Sequence, residues 1–167
     1  MALTPLDSVA PKAIEALLDR AFGTDRHGRT AYRLRAGTSA IGALSFAAID
    51  GTGRLLGSIQ CWPVEFLGDD GRRVPMVMVG PVAVDPEVQR GGIGHRLMAT
   101  MLAAAAANGC DALMLIGDPD YYGRFFGFTD EKTALWRIDG PVERHRLLAR
   151  GAGVPGGAGI IRPAVTG

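Results

Sequence analysis

Gly91, Gly92 and Gly94 fall within four consecutive positions of the stretch VAVDPEVQRGGIGHRLMATML, residues 82–102. A β-branched run precedes them and a helical pattern follows at once. At such a junction the amides of the bend and of the first helical turn have no intrahelical acceptor, and the helix dipole adds positive character. Glycine lets a bound group sit against the main chain because no Cβ intervenes. The chemistry expected here is anion binding, phosphate above all. Arg90 could add a charge-assisted contact. Two familiar phosphate loops do not fit. A nucleoside-triphosphate loop needs Gly–Lys followed by Ser or Thr, and no lysine lies near. A dinucleotide fingerprint needs a third spaced glycine, and Leu97 stands at that position.

The elements that position this bend can be read from hydrophobic period. Ala10 to Phe22 reads as a helix, with Ile14, Leu17, Leu18 and Phe22 on one face and Pro11 in its first turn. The residues before it read as an ordinary helix start. TAYRLRAG predicts a short second helix ended by Gly37. ALSFAAID, RLLGSIQCWPVEFL and RVPMVMVGPVAVD, joined by polar turns, predict an antiparallel meander. Pro63 within the second of these points to an edge or a bulge. The period then shifts to 3.6, and Ile93, Leu97, Met98, Met101, Leu102 and Ala105 line one side of a helix that Asn108–Gly109 stops. DALMLIGD follows as a buried strand, so the crossover should be parallel. Asp118 and Pro119 read as the cap and first residue of a short helix, PDYYGRFF, ended by Gly127. EKTALWRI predicts a strand, GPVERHRLLARG a loop with a helical turn, and AGIIRPAV a closing strand.

The bulk composition narrows the function classes. At 167 residues and 47% hydrophobic content the expectation is one folded domain over residues 1–167. No stretch approaches the roughly 18 apolar residues of a membrane span, and the N-terminus lacks the pattern of a secretory signal. A cytoplasmic protein with no membrane partner is expected. Cys61 and Cys110 then read as buried thiols rather than a disulfide. The histidines His27, His95 and His145 are scattered, which argues against a metal site. A net charge of +1 argues against broad nucleic-acid binding.

VAVDPEVQRGGIG resembles the acyl-coenzyme A signature of the GCN5-related N-acetyltransferase (GNAT) family: Gln or Arg, two residues, Gly, one residue, then Gly or Ala. Gln89, Gly92 and Gly94 fill those places. GDPDYYGRFFGF resembles the family's later segment, where a tyrosine precedes a short helix and a Gly–Phe pair. AYRLRAG, VGPVAV and GPVERHRLLA are similar to the bacterial YhbS-like branch. The resemblance implies a mixed α/β sheet: an antiparallel N-terminal meander, then a parallel strand–helix–strand unit, with a V-shaped coenzyme cleft where neighbouring strands splay. It implies that Val82, Ala83 and Val84 offer the strand edge to pantetheine. It implies that Gln89, Arg90, Gly91, Gly92, Ile93, Gly94 and His95 hold the pyrophosphate; Arg124 reads either as a further phosphate contact or as an exposed residue of its helix. The implied activity is acetyl transfer from acetyl-CoA directly to a primary amine of a small molecule or peptide. The alternatives are a non-catalytic acyl-CoA-binding or sensing module of the same fold and, more remotely, a nucleotide-binding domain of another class.

Direct transfer needs a neutral amine, donors for the developing oxyanion and a proton for the leaving thiolate. By the resemblance, a tyrosine opening the short helix points at the coenzyme sulfur. Tyr122 and Tyr121 both stand there, and YYGRFFGF carries one phenylalanine more than the family pattern. One residue turns a helix by about 100°, so either tyrosine could be the acid. Glu65, on the meander, is a candidate base for the amine proton, with a solvated strand end as its other reading. Asp118 reads as a cap rather than a base, and His145 would reach the site only if its loop folds back. AFGTDRHGRTAYRLR, QCWPVEF and the C-terminal loops should shape the acceptor side. Exposed sheet edges leave a homodimer open.

Overall fold

The structure, a computed structural model, describes residues 1–88 and 91–165. Eight strands form one mixed sheet. β1 (Ala2–Pro5), β2 (Phe46–Ile49), β3 (Leu55–Gly68) and β4 (Arg73–Val84) run antiparallel in that spatial order. β5 (Leu113–Ile116) joins β4 in parallel, and β7 (Leu147–Arg150) joins β5 antiparallel. β8 (Gly159–Pro163) pairs with the distal half of β3 and carries β6 (Trp136–Ile138) on its other side. The expected meander and parallel crossover are both present.

Helices cover both faces of the sheet. α1 (Pro11–Phe22) has proline in its first turn and buries Ile14, Leu17 and Leu18 beside Ala47, Leu55 and Ala83. α3 (Ile93–Ala107) buries Ile93, Leu97, Met98, Met101 and Ala105 against Ile59, Cys61, Val77 and Val79. Gly57 is required under it: a Cβ there would stand 2.9 Å from the Ile93 side chain. α4 (Pro119–Phe126) is capped by the Asp118 carboxylate, which accepts from Asp120 N at 2.9 Å, and Gly127 ends it in the left-handed region. Both ends were legible from residue type.

Several expectations are corrected. The N-terminus opens with β1, a four-residue strand held by pairing with β2, not with a helix start. The second helix, α2, spans only Thr30–Arg33, after which the chain continues in turns to Gly37. EKTALWRI is strand only at Trp136–Ile138, and the loop expected over GPVERHRLLARG contains the buried strand β7. Pro63 lies on a strand with partners on both flanks. It sits where β2 has ended and β8 ends, and its carbonyl accepts from Ala164 N at 3.2 Å. Its missing N–H therefore faces a local gap in the ladder, which is what an edge supplies elsewhere.

The turn leaving β4 is held by Asp85, which is only 1% exposed. Its carboxylate accepts from Arg54 Nη2 at 2.8 Å, Arg20 Nη2 at 3.3 Å and Glu87 N at 3.0 Å. The Glu87 amide and then Arg54 hold this carboxyl below the usual range. A depressed folded-state value contributes stability that is full above the unfolded value near 3.9 and is lost as pH falls through the folded one. Asp85→Asn is expected to cost about 1–2 kcal/mol at pH 7. Thermal melts should show a lower Tm at neutral pH and a smaller loss of Tm on acidification below about pH 4.

Candidate active site

The cleft begins where β4 changes direction. Ile59 of β3 pairs with Val82 and Cys61 with Val79, so Gly80 and Pro81 together oppose the single residue Gln60. This bulge bends β4 and raises its twist. On the other flank β5 pairs with β4 only at Val77 and Met78, while its opposite edge pairs with β7 along its whole length. Beyond Met78 the two strands separate, and among the described residues no strand pairs with that edge of β4. Asp85 N donates to Leu56 O on β3. By the alternation of an antiparallel ladder, Ala83 faces β3 in the same way, while the main-chain groups of Val82 and Val84 face the open side. An extended ligand could add there as a strand.

A cavity of about 1200 Å³ fills the gap. Its sheet walls are Met78–Val82 and Leu115–Asp118, and Tyr121 and Tyr122 close one side. Val82 and Val84 direct their side chains toward the start of α3, where a Cβ on Gly94 would meet Val84 Cγ2 at 3.6 Å. The bend itself is open. Gly91 and Gly92 are exposed with φ of 117° and 66°, and an added Cβ would meet nothing within 4 Å at either. Among the described residues, no acceptor meets the amides of Gly92, Ile93, Gly94 or His95, and the first carbonyl used by the helix is that of Gly92, from Arg96 N at 2.9 Å. These features fit an anion cradle at the N-terminus of a 15-residue helix. Gln89 and Arg90, also expected to hold phosphate, lie outside the described residues. His95 is exposed and packs on the rings of Phe125 and Phe126, which ties α3 to α4. Arg124 is exposed beside Phe125.

The two tyrosines differ in depth. The Tyr122 ring lies over the backbone of Gly117, where a Cβ would come within 2.6 Å of it, so glycine at that position makes room for the ring. Burial, then the neighbouring Tyr121, push the Tyr122 phenol above its ordinary range, and the Arg146 charge opposes this. Burial alone raises Tyr121. Both phenols keep their protons at neutral pH.

Glu65 is not brought to the cavity. It lies toward the far end of β3, in register with Pro75 and Arg162. Its carboxylate accepts from Arg73 Nε at 2.5 Å and Arg162 Nε at 3.1 Å, and Arg73 first of all holds it below the usual range. A paired, weakly basic carboxylate outside the cleft matches the strand-end reading rather than that of a base. His145 also stays outside, against Glu143 at 3.4 Å. Cys61 is buried, and burial raises its thiol to about 12, which removes it as a nucleophile at neutral pH. Cys110, expected to be buried as well, is so only in part. Of the segments expected to face the acceptor, 21–35 and the C-terminal loop at Pro141–Arg146 do line the cavity. QCWPVEF instead backs it, through Trp62 under Arg35. The sequence analysis named no residue of 21–35 as a ligand contact. The signal there was four arginines, Arg26, Arg29, Arg33 and Arg35, around Tyr32, with Asp25 the one acid of the segment.

A sheet that splays beside a glycine bend, with the bend opening a helix, is the arrangement that the resemblance to the GNAT family implies. The family model described as the acetyltransferase (GNAT) family matches residues 10–128, and the chain belongs to that family. It is similar to the uncharacterized N-acetyltransferase YhbS of Escherichia coli K12, with 32% identity over 121 residues, 72% of this chain and 68% of that one. The crystal structure of E. coli YhbS in complex with CoA superposes with a TM-score of 0.74 at 24% identity, covering 96% of this chain and 88% of that one. A GNAT family acetyltransferase from Brucella melitensis in complex with acetyl-CoA gives a TM-score of 0.65 at 25% identity, covering 96% and 94%. Among the described residues, no helix is long and apolar enough to cross a membrane.

Proposed function

We propose that the protein transfers the acetyl group of acetyl-CoA directly to a primary amine within a ternary complex. The observation that carries this reading is the set of amides at Gly92–His95, which meet no acceptor among the described residues, beside a β4 edge left open by the bulge at Gly80 and Pro81. The acetyl-CoA complex of the Brucella relative supports the choice of donor. The bend holds the diphosphate, and the open main chain of Val82 and Val84 takes the pantetheine arm. The same edge offers N–H donors to the carbonyl oxygen as it gains charge. When bound, acetyl-CoA supplies the activated thioester. As the C–N bond forms and the C–S bond breaks, Tyr122 can give its proton to the departing sulfur, the amine loses its proton to solvent, and the cavity walls hold the amine close to the carbonyl. A donor found in the cytoplasm puts the activity in that compartment.

The test mixes the protein with acetyl-CoA and a panel of amines and follows free thiol. Amine-dependent thiol release, with acetyl-CoA binding competed by CoA but not by NAD or ATP, is the expected result. Tight coenzyme binding with no thiol release from any amine would replace the enzyme with a coenzyme-binding module. Glu65→Gln gives a separate check on the base. It is expected to leave kcat within about twofold, because the carboxylate is outside the cavity, while lowering Tm slightly through loss of two exposed-rim ion pairs. A fall of about 100-fold in kcat would return Glu65 to the chemistry.

A further inference from the structure

Arg35 stands on the cavity wall with its guanidinium 4.2 Å from the ring centre of Tyr32 and 4.2 Å from that of Trp62. Two aromatic faces hold a planar cation in one orientation and shield it from water. Among the described residues it makes no ion pair. The contrast with Arg26 on the same wall is direct, since Glu15 and Asp19 pair with Arg26 and neutralise it. Arg29 and Arg146 also line the cavity without a carboxylate partner among the described residues, and Arg29 donates to Phe22 O at 3.1 Å. The acids on this wall are Asp118, engaged in capping α4, and Glu143, which faces His145. The wall therefore carries an excess of positive charge, centred on a guanidinium that two rings hold in place and that makes no ion pair among the described residues. Half-burial lowers the affinity of Arg35 for its proton, so an anionic partner would relieve a cost already present.

We infer that the acceptor amine carries an oxyanion, a carboxylate or a phosphate, which Arg35 binds through its planar fork with Arg29 and Arg146 adding charge. This deepens the acyl-transfer reading above and rests on it. Arg35 acts as a specificity residue: it anchors the anionic end of the acceptor and leaves the amine free to approach the thioester. The glycine bend serves the donor's phosphates separately, at the start of α3.

The test pairs amines that differ only in the anion: β-alanine with β-alaninamide for carboxylate, and glucosamine 6-phosphate with glucosamine for phosphate. Thiol release is followed in the wild type, Arg35→Met and Arg35→Lys, and acetyl-CoA binding is measured in each to verify the fold. The expected result is kcat/KM at least about tenfold higher for the anionic member of one pair, which identifies carboxylate or phosphate. Arg35→Met should abolish that preference by raising KM, with acetyl-CoA affinity retained. Arg35→Lys should keep its sign at a higher KM, because ammonium retains charge but loses the fork. Equal or faster turnover of the neutral members, or a preference that survives Arg35→Met, overturns the anion assignment and leaves acyl transfer standing. Absence of thiol release from every amine, despite coenzyme binding, overturns both.

Discussion

Gly92→Asp is expected to raise the dissociation constant for acetyl-CoA by about 100-fold or more while costing the fold only about 1–2 kcal/mol. The two effects separate because of where Gly92 sits. Its φ of 66° is left-handed, a region that asparagine and aspartate tolerate better than other side chains. Nothing lies within 4 Å of an added Cβ, so the new side chain meets open space rather than core. The position is itself part of the run Gly92–His95, whose amides meet no acceptor among the described residues. A carboxylate there would take the amides for itself and repel the diphosphate, turning the favourable dipole into an intramolecular cap. Gly92→Asn has nearly the same shape without the charge and should weaken binding by roughly tenfold at most. Titration calorimetry on both variants, with melts to verify folding, separates charge from bulk. Wild-type affinity in Gly92→Asp would mean that the diphosphate lies elsewhere.

The parts of this fold legible in the sequence are those whose signal is local. The period of two across residues 46–84, the period of 3.6 from Ile93 to Ala105, and the Asp118 cap with Gly127 as terminator each depend on neighbours a few residues away. The parts that were not legible depend on distant pairing. β1 and β7 are no shorter than β2 and β5, but their residues read locally as a helix start and as a loop with a helical turn, and they are strands because β2 and β5 present edges to them. Pro63 misled because a proline reports a missing donor, not whether the gap is the outside of the sheet or the junction between β2 and β8. The site divides in the same way. The glycine bend is contiguous in sequence, so the exposure of Gly91 and Gly92 could be expected. Glu65 and Arg35 could not be ranked from sequence. Glu65 is drawn off by Arg73 and by Arg162, 97 residues later. Arg35, in the turn after α2, is stacked on Trp62, which belongs to β3 and lies 27 residues later.

Tyr122→Phe is expected to lower kcat by about 100-fold with the KM for acetyl-CoA nearly unchanged, whereas Tyr121→Phe should stay within about threefold. Both rings line the cavity, so position alone does not separate them. Depth does. Tyr122 lies over Gly117 at the end of β5, and burial raises its phenol more than any other cause. A phenol raised above its usual value near 10 stays protonated across the whole neutral range. Its proton becomes unavailable only as pH climbs through that raised value. The wild-type rate should therefore show no descending limb below about pH 10 from this group, and Tyr122→Phe should lie below it by a constant factor throughout. Removing the hydroxyl leaves the ring, so packing on Gly117 and Phe128 persists and Tm should shift little. A loss in KM rather than kcat would make Tyr122 a wall of the cavity and not the acid. The larger loss in Tyr121→Phe would transfer the role to its neighbour, as the extra phenylalanine in YYGRFFGF allows. Arg146 also bears on the outcome: its charge opposes the rise at Tyr122. An anionic acceptor bound near Arg146 would neutralise that opposition and make the phenol a weaker acid. The pH profile of Tyr122-dependent turnover should then extend further into alkali with an anionic acceptor than with a neutral one, which links the two halves of the cavity through a single measurable group.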